Sequence, residues 1–325
     1  MAWGLRRQVE SHDWRLSASE EDRREYDAFG PWIYDIKAER DIPKRFRAVC
    51  ERHRDARFLL KVPRGVDRRD AHPGMDLYVA MLAVHDHGAS LMRLTGEDVA
   101  TQDIIWDELA ALESYVNLLI GRWTLMLRDG GAFVVDYNAV SSGLMDKVTE
   151  FVRSRWILRG EAPRAVEPDP VVDVADHYFS NELYVKRRSG PQPVAPIHVE
   201  PKNRLCRDEA NRRRLSTGVM FLDAPDELII VNRGKPTRRF FETRYARNCI
   251  FVPYAGLTSF TLASPPADRP ARFHELTLRL DKQVIRQFCL LAPERVLARL
   301  AAHGAPRSAP TAPTCRSRRR RFSAD

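Results

Sequence analysis

His85-Asp-His87 is a pair of imidazoles whose spacing could hold a metal ion, because residues two apart on a strand share a face. The pair falls where a hairpin has to reverse, with Gly88 next, and no nearby cysteine or Glu-x-x-His motif completes a ligand shell. A solvent-exposed turn without metal is expected there. His177, His198 and His274 are isolated and read as surface or satisfied core histidines. Nucleophilic catalysis would call for Gly-x-Ser-x-Gly or a cysteine in local context, and phosphate binding for a Gly-rich loop opening a helix. Ser141-Ser-Gly143 precedes a helical pattern but lacks the rest, and the 16 glycines are too scattered for a P-loop. The acidic neighbours Glu20-Glu21, Asp107-Glu108 and Asp226-Glu227 point to opposite sides of a strand or into solvent, so they read as surface. No catalytic residue, cofactor or metal is expected, and the chain reads as a non-enzyme.

The charge and cysteine content bound the remaining classes. Net charge is +9, and all but eight of the 53 basic residues are arginine. Such a field attracts nucleic acid, anionic lipid and acidic partners alike, so charge alone does not choose among them. Cys50, Cys206, Cys249, Cys289 and Cys315 are odd in number and widely spaced, which predicts buried or idle thiols in a reducing compartment, with no disulfide framework. The longest apolar runs, Tyr78 to Val84 and Leu228 to Val231, fall far short of the ~20 residues that span a bilayer. The start, Met-Ala-Trp-Gly-Leu-Arg-Arg, has no apolar segment of a signal peptide behind it. The expected location is the cytoplasm, including a peripheral position at the inner membrane surface.

The elements that would position any site follow from periodicity. At 325 residues and 44% hydrophobic, the chain can bury a core in each of two domains. Residues 1–54 read as an N-terminal arm and clasp, with the aromatics of Tyr26 to Lys37 packed on the first domain. Residues 55–160 form that domain: apolar runs at Phe58 to Val62, Leu77 to Val84 and Ala89 to Leu94, then a hairpin from Trp123 to Tyr137 around Asp129-Gly130. Its closing helix carries Leu144, Val148, Phe151, Val152 and Trp156 on one face, with Ser141 or Ser142 as N-cap. Trp123, Phe133, Tyr137 and Trp156 read as the core under that helix, although a groove between helix and sheet edge could accept a partner strand. Residues 161–175 are a Pro-rich linker. In 176–304 the order returns: strands near 196–199, 217–222, 227–231, 248–253, 276–280 and 283–288, then a helix from Pro293 to Gly304. Residues 305–325 form a disordered basic tail.

Several stretches carry a resemblance. Ile104 to Glu113, Leu119 to Trp123 and Asp136 to Ser141 resemble bacterial pleckstrin-homology-like (PH-like) proteins, and Asp226 to Gly234 with Phe251 to Leu257 resembles a second such module. The likeness covers residues 55–158 and 194–303 and is one of pattern more than of signature. It implies a mainly β, α+β protein of two partly open β-barrels, each capped by a C-terminal helix. It also implies a binding or scaffold module for a protein partner or an anionic membrane surface, because the family is mostly non-catalytic. In PH domains that bind phosphoinositides, basic residues between the first two strands grip the phosphates. The corresponding candidates are Lys61, Arg64, Arg68 and Arg69 in the first module, and Lys202, Arg204, Arg207, Arg212, Arg213 and Arg214 in the second. Asp67 and Asp70 dilute the first loop, and a solvated loop is the leading reading. Arg318, Arg319, Arg320 and Arg321 of the tail could dock on nucleic acid or lipid. The alternatives are nucleic-acid binding through these arginines and an enzyme site assembled at the domain interface.

Overall fold

Tyr78 to Val84 is apolar at every position because the strand it forms is covered on both sides. Ala80, Leu82 and Val84 enter one core, while Tyr78, Met81 and Ala83 enter another. The same logic of short apolar runs between turn residues builds most of this α+β protein. A computed structural model describes residues 18–157, 174–202, 205–207, 213–233, 246–264 and 273–308.

Helices α1 (Glu20–Asp27) and α2 (Arg47–Cys50) lie in the N-terminal segment, which places Phe29, Ile42, Phe46 and Cys50 against the outer face of the first sheet. That sheet has five antiparallel strands in sequential order: β1 (Tyr34–Asp35), β2 (Phe58–Pro63), β3 (Tyr78–Val84), β4 (Gly88–Thr95) and β5 (Asp98–Ile105). A second meander follows, β6 (Leu109–Asn117), β7 (Ile120–Leu127) and β8 (Ala132–Asn138). The β7–β8 reversal uses Gly130 at φ 94°, a left-handed conformation that glycine adopts without a Cβ clash. Helix α3 (Ser142–Ile157) then packs Met145, Val148 and Val152 into the core shared by both sheets, and Thr149 Oγ1 accepts a 3.0 Å hydrogen bond from Trp123 Nε1. Ser141 Oγ accepts the amide of Ile33 at 2.8 Å, pinning the N-terminal segment to the helix start.

The second half begins with a helix that the sequence pattern did not announce, α4 (His177–Ser189), capped by the Asp176 side chain on the Tyr178 amide. Strand β9 (Ala195–Glu200) is followed by the short ribbon β10 (Leu205–Arg207) and β11 (Arg213–Leu215), then β12 (Val219–Asp223), β13 (Glu227–Asn232) and β14 (Arg247–Pro253). A three-stranded meander, β15 (Ser259–Ala263), β16 (His274–Leu280) and β17 (Gln283–Cys289), leads into α5 (Glu294–Ala302), which buries Val296, Leu297 and Leu300. Thus strands β2 to β5, then β6 to β8, then α3 are echoed by β9 and β12 to β14, then β15 to β17, then α5.

Among the described residues the two halves share one sheet. Strand β14 pairs with β6 over five residues, from Arg247↔Val116 to Phe251↔Leu112, and fuses the halves into one seven-stranded sheet of order β8-β7-β6-β14-β13-β12-β9. Among the described residues no sheet closes on itself. One face of the seven-stranded sheet packs on α3, α4 and the first sheet, and the other on β15 to β17 and α5.

An ion-pair cluster reinforces the junction and corrects the reading of Asp226-Glu227 as surface. Glu227 is fully buried and receives Arg153 Nε of α3 at 3.1 Å, and both side chains have zero exposure. The guanidinium lies 4.3 Å over the Phe251 ring and also meets Glu150. Lys186 of α4 sits 4.8 Å over the same ring. Neighbouring residues of a strand face opposite ways, so a central strand sends one member of an acidic pair inward.

Candidate functional site

The first basic loop does not present a free set of cations. Lys61 is buried, donates to the Asp41 carbonyl at 3.1 Å and lies 4.6 Å over the Tyr78 ring. Burial holds its ammonium below the ordinary lysine range. Arg64 donates to the Asp76 carbonyl at 2.7 Å. Arg68 bonds the Phe29 carbonyl and lies 5.2 Å over Tyr26, and Arg69 pairs with Asp67 at 2.8 Å. Each candidate therefore has a local partner, three of the four being backbone carbonyls. In the second module Lys202 is exposed, and Arg207, Arg213 and Arg214 stand on the β10–β11 ribbon. Arg204, Arg212 and Arg318 to Arg321 lie outside the described residues, as does most of the linker.

The turn after β3 departs from its expectation. His85 is buried rather than solvent-exposed, because the N-terminal segment brings His53 beside it: His53 Nδ1 and His85 Nε2 are 3.1 Å apart. His85 Nδ1 lies 3.5 Å from the Asp55 carboxylate, and exposed His87 stacks on His85 with centroids 5.4 Å apart. These groups, with Ser90 and Asp103, line a cleft of about 250 Å³. Burial holds both enclosed imidazoles below their ordinary pKa, more strongly than Asp55 and Asp103 raise them. The two rings contact each other directly, while His85 Nδ1 makes no hydrogen bond to the Asp55 carboxylate. The hydroxyl in the lining, Ser90 Oγ, donates to Asp103 Oδ1 at 2.5 Å. The His-x-His motif is visible in the sequence, but His53 is not, because its approach depends on how the segment before β2 folds.

Docking surface is clearer than chemistry. At the β6–β7 reversal Leu118, Leu119 and Ile120 are 65%, 65% and 63% exposed, and Val140 is 65% exposed. They are neighbours, since the Ala139 amide donates to the Leu119 carbonyl at 2.9 Å. Trp32, 40% exposed, lies next to Ile33, whose amide is held by Ser141. Leu118 sits at φ 53°, a conformation uncommon for a leucine, so this turn retains a costly backbone while displaying its apolar side chains. Contiguous apolar surface of this kind marks an interaction site more often than scattered leucines do. Among the described residues near its base, Arg122 pairs with Asp136 at 2.6 Å and Arg247 with Asp146 at 2.8 Å.

Two strand edges are paired within the chain, while β8 and β9 are the end strands of the seven-stranded sheet. The outer edge of β6 is taken by β14. The outer edge of β15 is taken by the chain's own residues 306–308, through Phe260 N to Pro306 O at 3.2 Å and Ser308 N to Phe260 O at 2.9 Å. Trp123, Phe133 and Tyr137 are buried in the core and form no groove. No helix among the described residues is long and apolar enough to cross a membrane. No protein-family model matches the chain, and no curated protein matches it.

Proposed function

We propose that the chain is a tandem pair of PH-like units acting as a non-catalytic docking module for a protein partner, which it engages through the Leu118-Leu119-Ile120 hairpin tip with Val140. The PH-like reading is supported by the twice-repeated order of a four-stranded meander, a three-stranded meander and a helix. The observation that carries the docking reading is the apolar tip itself, held out on a rigid hairpin whose base is locked by β6–β7 and β6–β14 pairing. A protein partner is favoured over an anionic membrane because the charges around the tip are paired and the first basic loop's cations are engaged locally.

The test is site-specific photo-crosslinking in the native cell. A photoreactive side chain at Leu119 is expected to capture one discrete protein, whereas the same group at Asp129, on the next hairpin, captures none. Replacing Leu118, Leu119 and Ile120 by serine is expected to abolish that adduct while leaving the thermal midpoint within about 2 °C, since exposed substitutions cost little stability. Adducts equal at both positions, or sedimentation with anionic vesicles that depends on the tip, would reject the protein-docking reading.

A further inference from the structure

At the open seam of the second half, edge strand β9 comes against the end of β17, and side chains with nitrogen, oxygen and sulfur donors converge there. His198 and Glu200, two apart on β9, share a face. Cys289 is the last residue of β17 and fully buried. One donor atom from each of these three residues lies within 4.8 Å of the other two, and His198 Nε2 is 3.0 Å from Glu200 Oε1. His274, half-buried on β16, is the cross-strand partner of Cys289, and its Nδ1 faces Ser264 Oγ at 3.3 Å.

Glu200 is 2% exposed and has no Lys or Arg partner among the described ion pairs. Its oxygens accept the amides of Leu290 and Leu291, both at 2.8 Å. Those two bonds fix the carboxylate from behind, the role that outer hydrogen bonds play for metal-ligating carboxylates. The thiol, two imidazoles and one carboxylate match the borderline ions, zinc above all, and do not suit calcium or magnesium, which take oxygen ligands. Metal–ligand distances of about 2.0–2.3 Å put tetrahedral donors roughly 3.3–3.8 Å apart, a spacing near that of the three clustered donors, and the cross-strand register brings His274 beside Cys289.

We propose that His198, Glu200 and Cys289, with His274 as fourth ligand, bind one zinc-class divalent ion that staples β9 to β17. Binding deprotonates the Cys289 thiol, the proton leaving to solvent, and the resulting thiolate coordinates the metal. The ion bridges the seven-stranded and three-stranded sheets beside the Glu200 clasp. This site is independent of what the hairpin tip docks on.

The test is cobalt(II) titration of the reduced full-length protein, followed by its absorption spectrum. One equivalent is expected to give a thiolate-to-cobalt charge-transfer band with the intense visible bands of a tetrahedral ion, and one equivalent of zinc to bleach them. The band is expected to vanish in Cys289→Ser and to survive in the double variant Cys206→Ser/Cys315→Ser. His274→Gln, which leaves the thiol and the Glu200 clasp in place, is expected to weaken cobalt binding about tenfold or more and decides the matter if Cys289→Ser does not fold. A titration with no thiolate band, a band that persists in Cys289→Ser, or wild-type affinity in His274→Gln overturns the proposal.

Discussion

Arg153 and Glu227 are both fully enclosed, and they meet where helix α3 of the first half lies on strand β13 of the second. Removing one member of such a pair strands the other charge away from water. Glu227→Ala is expected to destabilise the protein by about 3–5 kcal/mol in urea unfolding, and Glu227→Gln, which keeps an acceptor for the guanidinium, by less. The His53–His85 pair makes a different prediction. Burial lowers both pKa values below the ordinary 6.5, so above that pH the rings are neutral folded or unfolded and contribute no slope. As pH falls below about 6.5 the unfolded chain takes up protons that the folded one refuses, so stability drops. Arg52 and His87 reinforce the shift, while Asp55 and Asp103 oppose it. The double variant His53→Gln/His85→Gln is expected to have a flatter stability profile between pH ~7 and ~5. An unchanged slope would show that other groups set it. At this scale the sequence was partly legible: His-x-His and the acidic pairs are visible as motifs, but burial depends on partners far along the chain. Arg153 lies 74 residues from Glu227, and His53 32 from His85.

The strands were legible because their turns have local chemistry. Asp129-Gly130 marked the β7–β8 reversal, and Gly88 the start of β4. Gly88 is required for a reason beyond the turn: a Cβ there would stand 2.1 Å from the Ile104 carbonyl oxygen on the neighbouring strand. Gly88→Ala is expected to cost about 1–3 kcal/mol by forcing β4 and β5 apart, read as a lower urea midpoint, and to distort the histidine cleft that these strands line. A variant as stable as the parent would mean that the strands part freely. Helix α4 escaped notice because its buried positions include Glu182 and Lys186 beside Phe179 and Leu183, so its inward face is not an apolar stripe. Those polar groups are tolerated inside only because α3 and the sheet supply countercharges, a condition that the local pattern does not carry.

Across the whole molecule the repeat of strands followed by a helix could be read from sequence order, whereas strands β5, β6 and β15 and the β6–β14 junction could not. Pairing between strand edges that far apart leaves no local trace, and both strands would look ordinary in separate modules. Because one core draws on Trp123 and Val148 as well as on Ile229 and Phe251, the halves are expected to unfold together. The sequence offers a direct check, since all six tryptophans lie at or before Trp156. Their fluorescence reports the first half, and far-ultraviolet circular dichroism reports both. Coincident urea transitions are expected, and Glu227→Ala in the second half should shift the fluorescence curve as much as the dichroism; two resolved steps would refute the shared core. The junction also has a consequence during synthesis. Once β6 has left the ribosome, its outer backbone amides and carbonyls wait for a partner that is translated about 135 residues later, roughly 7–27 s at ~5–20 residues per second. Throughout that interval the nascent chain exposes an unpaired strand edge, a ready-made template for misassembly with its siblings on the same message.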